Sequence, residues 1–179
     1  MAKAEDSVSL LVPHKMVWQR LTEFNRWDEW LRIPDAGNKG LGDNMRWLGG
    51  EGTEMRFGLY NGGELAQTMR MTEWDPPRHL AMELEGWNWK ASVAPKARSR
   101  EKMGSSMGAV PALRLRYSAD LAPVSDLETT FTFRMEAEFT HRFFGPLFNL
   151  LIPVRRDLKR LAAEFTNSFS HSFDRRKAA

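Results

Sequence analysis

From Thr53 to Phe139 apolar and polar residues exchange places at every second position, and beyond Pro153 the apolar residues recur at helical spacing. The first rhythm builds a strand with one apolar and one wet face, as in an antiparallel sheet packed on a single side. The second builds an amphipathic helix. Before the sheet, residues 7–12 read as a strand ended by Pro13, which suits a helix start because it has no N–H to leave unpaired. Met16, Val17, Leu21 and Phe24 then predict a helix over 15–24, and Trp27, Trp30 and Leu31 a second short one over 26–31. Pro34, Gly37, Gly40 and Gly42 mark a loop.

Met45 and Trp47 share one face of the next strand, and glycines 49, 50 and 52 turn it back. Met55, Phe57 and Leu59 follow, then the hairpin signal Asn61-Gly62-Gly63, whose residues accept the positive φ of tight turns. The returning strand places Leu65, Gln67, Met69 and Met71 together. After Asp75-Pro76-Pro77, Leu80, Met82 and Leu84 alternate in turn. Residues 87–111 break the rhythm, first basic (Lys90, Lys96, Arg98, Arg100, Lys102) and then rich in Gly, Ser and Met, which reads as a long connection. Alternation resumes with Leu113, Leu115, Tyr117, Ala119 and Leu121. Past a turn at 123–126, Leu127, Thr129, Phe131, Phe133, Met135, Ala137 and Phe139 face inward. The last helix carries Val154, Leu158, Leu161, Ala162, Phe165, Phe169 and Phe173 on one stripe and Arg155, Arg156, Lys159 and Arg160 opposite.

Composition narrows the function classes. With 179 residues, 42% apolar and 27% charged, the expectation is one domain over 1–179 with its core at about 7–173. A net charge of +3 with scattered basic residues gives no footprint for nucleic acid. The absence of cysteine excludes disulfides, thiolate metal sites and cysteine nucleophiles. No run is long enough for a transmembrane helix, and the acidic start Met1-Ala2-Lys3-Ala4-Glu5-Asp6 lacks the apolar core of a signal peptide, so a cytoplasmic location is expected.

Several segments carry a family likeness: Val12-Pro13-His14-Lys15-Met16-Val17-Trp18, the tryptophans of Phe24-Asn25-Arg26-Trp27-Asp28-Glu29-Trp30, and the turn Glu73-Trp74-Asp75-Pro76-Pro77-Arg78-His79-Leu80. Phe143-Phe144-Gly145-Pro146-Leu147-Phe148, followed by Arg155-Arg156-Asp157-Leu158-Lys159-Arg160-Leu161, completes the set. In these residues, and in the order of its elements, the chain resembles the SRPBCC superfamily, which includes START lipid-binding domains, birch-pollen-allergen-like proteins and polyketide cyclase-like proteins. The resemblance implies an α+β helix-grip fold: a curved antiparallel sheet wrapped around a long C-terminal helix, with two short helices after the first strand. It also implies an apolar cavity between sheet and helix. The stretch 90–111 is longer than the family pattern.

The candidate ligand-binding residues are the inward ones: Trp47, Met55, Phe57, Gln67, Met69, Met71, Met82, Leu115, Tyr117, Thr129, Phe131 and Phe133 on strands, with Leu158, Ala162 and Phe165 on the helix. Each Met or aromatic reads either as packed core or as the wall of an adaptable pocket. Gln67, Tyr117 and Thr129 are polar on apolar faces, either hooks for a ligand or partners of the backbone. Trp27, Trp30 and Trp47 read as the cavity mouth or as helix docking.

No acid–base constellation stands out, since His14, His79, His141 and His171 fall off the inward strand faces. No metal-ligand spacing appears, so no metal and no cofactor are expected, and catalytic residues are not assigned. The leading expectation is a binder of an apolar or amphipathic small molecule of lipid, isoprenoid or aromatic polyketide class. The alternatives are a polyketide cyclase or dehydratase type of enzyme, with Tyr117 as the one inward ionisable group, and a co-chaperone-like interaction module using an apolar patch at 143–152. Oligomeric state is left open.

Overall fold

A computed structural model describes residues 1–31, 45–61, 64–87, 113–139 and 154–174. The alternating segments become a seven-stranded sheet of β1 (Ala2–Leu10), β2 (Met45–Gly49), β3 (Arg56–Asn61), β4 (Glu64–Asp75), β5 (His79–Trp87), β6 (Leu113–Ser125) and β7 (Glu128–Phe139). Spatial order is β1-β7-β6-β5-β4-β3-β2, every neighbouring pair antiparallel, so the first strand closes beside the last. Helix α1 (His14–Thr22) and the 3-10 helix Phe24–Glu29 follow β1, and the long helix α2 (Val154–Asp174) packs on β1 and β7. This is the helix-grip arrangement that the resemblance implies, with the second short helix wound as 3-10.

Several boundaries differ from the sequence reading, each for a physical reason. β1 begins five residues earlier than expected: Ala2, Ala4, Asp6, Val8 and Leu10 form the inner row, while Lys3, Glu5, Ser7 and Ser9 are exposed. The charged residues that disguised it are outer-face partners, Lys3 Nζ to Glu136 at 2.6 Å and Arg134 Nε to Glu5 at 2.9 Å. In α1 Val17 and Leu21 are buried, but Met16 turns to solvent. Leu127 is 69% exposed because it sits in the turn before β7 begins. A bulge between the pairs Leu59–Gln67 and Tyr60–Leu65 moves Leu65 off the row of Gln67, Met69 and Met71 and pairs it with outward Tyr60.

The β2–β3 turn needs glycine at position 50. Its φ is +87°, and a Cβ there would lie 2.2 Å from the carbonyl oxygen of Glu54. Arg20, buried on α1, binds Glu29 at 3.2 Å and Glu23 at 3.4 Å and so ties α1 to the 3-10 helix. The expected loop at 34–42, most of the long connection 87–111, the hairpin glycines 62 and 63, and the apolar run 143–152 lie outside the described residues.

Candidate ligand cavity

Curvature of the sheet and the diameter of α2 leave a space between them, and side-chain shape decides how much of it is filled. Aromatic rings occupy one part. Phe131 on β7 meets Phe169 on α2 at 4.5 Å between centroids, and Trp30 reaches Phe169 at 5.0 Å and Phe165 at 5.3 Å. Phe133 stacks on Phe165 at 3.9 Å with an interplanar angle of 8°. Phe57 packs against Phe24 at 4.6 Å.

Beside this aromatic block a cavity of about 80 Å³ remains. The strands supply Met45, Leu59, Met69, Met82 and, from β6 and β7, Tyr117, Phe133 and Met135. Trp27 and Leu31 close it from the 3-10 helix and its end, and Leu161 and Phe165 from α2. The register explains the wall, because Met82 pairs with Tyr117 and Tyr117 with Met135, putting three lining side chains on one transverse row. Trp27 donates its indole N–H to the carbonyl of Leu21 at 2.9 Å, so it offers the cavity a hydrocarbon surface. The Tyr117 hydroxyl has no hydrogen-bond partner among the described residues, and burial pushes its pKa up to about 12. It is a phenol held neutral, able to donate and not to act as a base at ordinary pH.

Five of the candidate residues come together here: Met69, Met82, Tyr117, Phe133 and Phe165. The others sit elsewhere. Phe57, Met71, Phe131 and Ala162 are wholly buried, and Met55 and Leu158 nearly so, and none of the six is among the described residues lining the cavity. Thr129 is fully buried and donates to the Val12 carbonyl at 2.9 Å, binding the chain where it leaves β1. Leu115 and Gln67 are half-buried and away from the cavity wall. Trp47 pairs with inward Phe57 but is 57% exposed, because β2 is an edge strand. It is not among the described residues that line the cavity. Trp30 lies in the aromatic block instead.

Leu31, Met45, Leu59 and Leu161 line the cavity without being among the candidates, and so does Met135, which the alternation places on the inward row of methionines and aromatics. Leu59 and Met135 follow from alternation, two residues beyond Phe57 and Phe133. Leu31 shares the apolar side of the short helix with Trp27 and Trp30, and Met45 a strand face with Trp47, so the pattern marks both as apolar without marking them as cavity wall.

Charged groups gather on the outer face. His79 lies 2.8 Å from Asp120 through Nδ1 and 2.8 Å from Glu73 through Nε2, Arg116 pairs with Glu73, and Arg134 bridges Asp120 and Glu5. The His79 hydrogen bond, aided by Arg116, holds the Glu73 carboxyl below its ordinary pKa. This chain of pairs crosses strands β4, β5, β6, β7 and β1 on the side away from the cavity. Among the described residues no group of His, Asp and Glu is placed to hold a metal ion.

No protein-family model and no curated protein sequence matches the chain. Solved structures do. The di-domain ARO/CYC BexL aligns with a TM-score of 0.62 and 15% identity over 97% of this chain and 47% of BexL, so the chain spans about half of BexL's length. The ZhuI aromatase/cyclase from a Streptomyces species gives a TM-score of 0.61 and 14% identity, covering 97% of this chain and 94% of ZhuI. Norcoclaurine synthase from Thalictrum flavum, solved with dopamine and hydroxybenzaldehyde, gives 0.54 and 8%, covering 96% and 85%. At these identities the likeness is one of fold.

Proposed function

We propose that this chain, which has the helix-grip fold of the SRPBCC superfamily, binds an apolar or amphipathic small molecule in the cavity between its sheet and α2. The observation that carries the reading is the cavity itself, whose described walls are methionine, leucine and aromatic side chains, with the Tyr117 hydroxyl the one hydroxyl among them. Burying apolar ligand surface against such a wall is favourable at about 25 cal/mol per Å². Few convergent polar groups in an apolar concavity is the ordinary make-up of a small-molecule site. Four methionines suit a guest larger than the empty space, because their unbranched side chains rotate aside at little cost. The reading takes residues 1–179 as one cytoplasmic domain. Among the described residues no helix is long and apolar enough to cross a membrane.

Native mass spectrometry of the purified chain, with organic extraction of what co-purifies, tests the proposal. A stoichiometric apolar adduct supports it. A chain that carries no adduct and takes up none of a panel of apolar probes sinks it.

One observation favours a second reading, an enzyme of cyclase type. Tyr117 stands in the cavity as a neutral donor that would polarise a bound carbonyl, and fold neighbours include aromatase/cyclases. Among the described lining residues it has no acid–base partner, which places binding ahead of catalysis.

A further inference from the structure

The polar accounting of the cavity says what kind of guest it accepts, given that it binds one as proposed above. Two lining side chains carry strong hydrogen-bonding groups, Trp27 and Tyr117, and the indole N–H of Trp27 is already committed to the Leu21 carbonyl. Among the described lining residues that leaves one side-chain donor, the Tyr117 hydroxyl. No charged side chain is among the described residues of the wall. Among the described residues, Arg114, Arg116 and Arg134 lie on the outer face of the sheet and Arg155, Arg156, Lys159 and Arg160 on the side of α2 away from its buried stripe.

We infer that the cavity selects uncharged guests bearing a single hydrogen-bond acceptor and turns away carboxylates. A carboxylate entering would leave its hydration for a wall whose described residues supply no cation and one donor, and a charge so placed is strongly disfavoured. A neutral carbonyl or ether oxygen needs only one donor, and Tyr117 supplies it. A guest with no acceptor binds too, but leaves that hydroxyl buried and unpaired. Free fatty acids are therefore poor ligands, and neutral ketones, aldehydes and esters good ones. Size sets a second limit. The space is about 80 Å³, whereas a dry cavity that holds benzene is about 150 Å³, so a single ring enters only as methionines such as Met69 and Met135 rotate away.

Three probes of nearly equal shape separate these terms in titration calorimetry of the full chain: acetophenone, ethylbenzene and benzoate. The expected order is acetophenone about tenfold tighter than ethylbenzene, and benzoate about a hundredfold or more weaker than acetophenone. Tyr117→Phe is expected to abolish the tenfold preference for acetophenone over ethylbenzene, and a cooperative thermal melt shows that the variant folds. If benzoate binds within a few-fold of acetophenone, the exclusion of charge is wrong. Equal binding of acetophenone to both forms of the protein removes Tyr117 as the recognising group while leaving the binding function intact. If none of the three binds while the chain carries an apolar adduct in native mass spectrometry, this inference falls and the proposed function stands; if neither is seen, both fall.

Discussion

Two regions beneath the long helix share the same neighbours and the same alternating strands, yet one is full and the other hollow. Around Phe169, rings from β7, the residue that ends the 3-10 helix (Trp30) and α2 meet at centroid distances of 4.5 to 5.3 Å, and Phe131 and Phe169 are wholly buried. Around Tyr117, one helical turn or more toward the start of α2, methionines face a phenol and about 80 Å³ stays empty. Flat rings tile a curved surface with large contact areas. Thin, flexible methionines do not seal it, and a hydroxyl without a partner is poorly matched to close apolar packing. The lesson is that facing inward and being filled are separate properties. Alternation decides the first, and side-chain shape the second.

The sharpest way to break this comparison is to truncate one residue in each region. Phe131→Ala is expected to lower stability by about 3–5 kcal/mol in denaturant titration, as the loss of a sealed aromatic does. A loss below 1 kcal/mol would mean the aromatic block is not close-packed. Met135→Ala, at the cavity wall, is expected to lose about 2 kcal/mol, the low end for such truncations, because one side of Met135 already lacks contacts. The same variant enlarges the cavity and should tighten ethylbenzene binding measured by calorimetry. Equal losses at the two positions would erase the distinction.

A pH series sharpens the hollow side. The Tyr117 phenol titrates at about 12 in the folded chain against an ordinary 10.0, so between those values the unfolded chain has lost the proton and the folded chain keeps it. Stability is therefore expected to fall as pH rises through that window, by on the order of 2 kcal/mol at its upper end. Tyr117→Phe removes that part of the alkaline loss in thermal melts. The outer face gives the smallest effect and the opposite sign. Glu73 sits below its ordinary 4.5, so the stability it adds is present above pH 4.5 and is lost as pH falls through the folded value. Because the pair is exposed, Glu73→Gln should flatten the acid limb of the stability curve by only about 0.5 kcal/mol. A larger change would mean that the chain of ion pairs acts as one unit.

Much of the fold was legible because it depends on local periodicity. The inward row Phe131, Phe133, Met135 on β7 and the stripe Leu158, Ala162, Phe165, Phe169 on α2 follow from spacings of two and of three to four. Where reading failed, the signal was masked or absent. Charged Lys3 and Glu5 hid the start of β1, since their cross-strand partners Glu136 and Arg134 lie more than 125 residues away in the chain. The bulge that turned Leu65 outward left no trace in composition.

What the amino-acid order determined by itself is the succession of strands and helices, the face that each residue presents, and thereby the container: a sheet that must cover its apolar side with α2. Only the tertiary structure decided which inward residues would touch one another and which would border empty space. Thr129 and Tyr117 are both polar residues on apolar rows, indistinguishable by pattern. One finds the Val12 carbonyl across the β1 edge, and the other finds no partner among the described residues and opens onto the cavity. That outcome depends on distances between segments remote in sequence, set by the curvature and register of the whole sheet, and no local spacing encodes it.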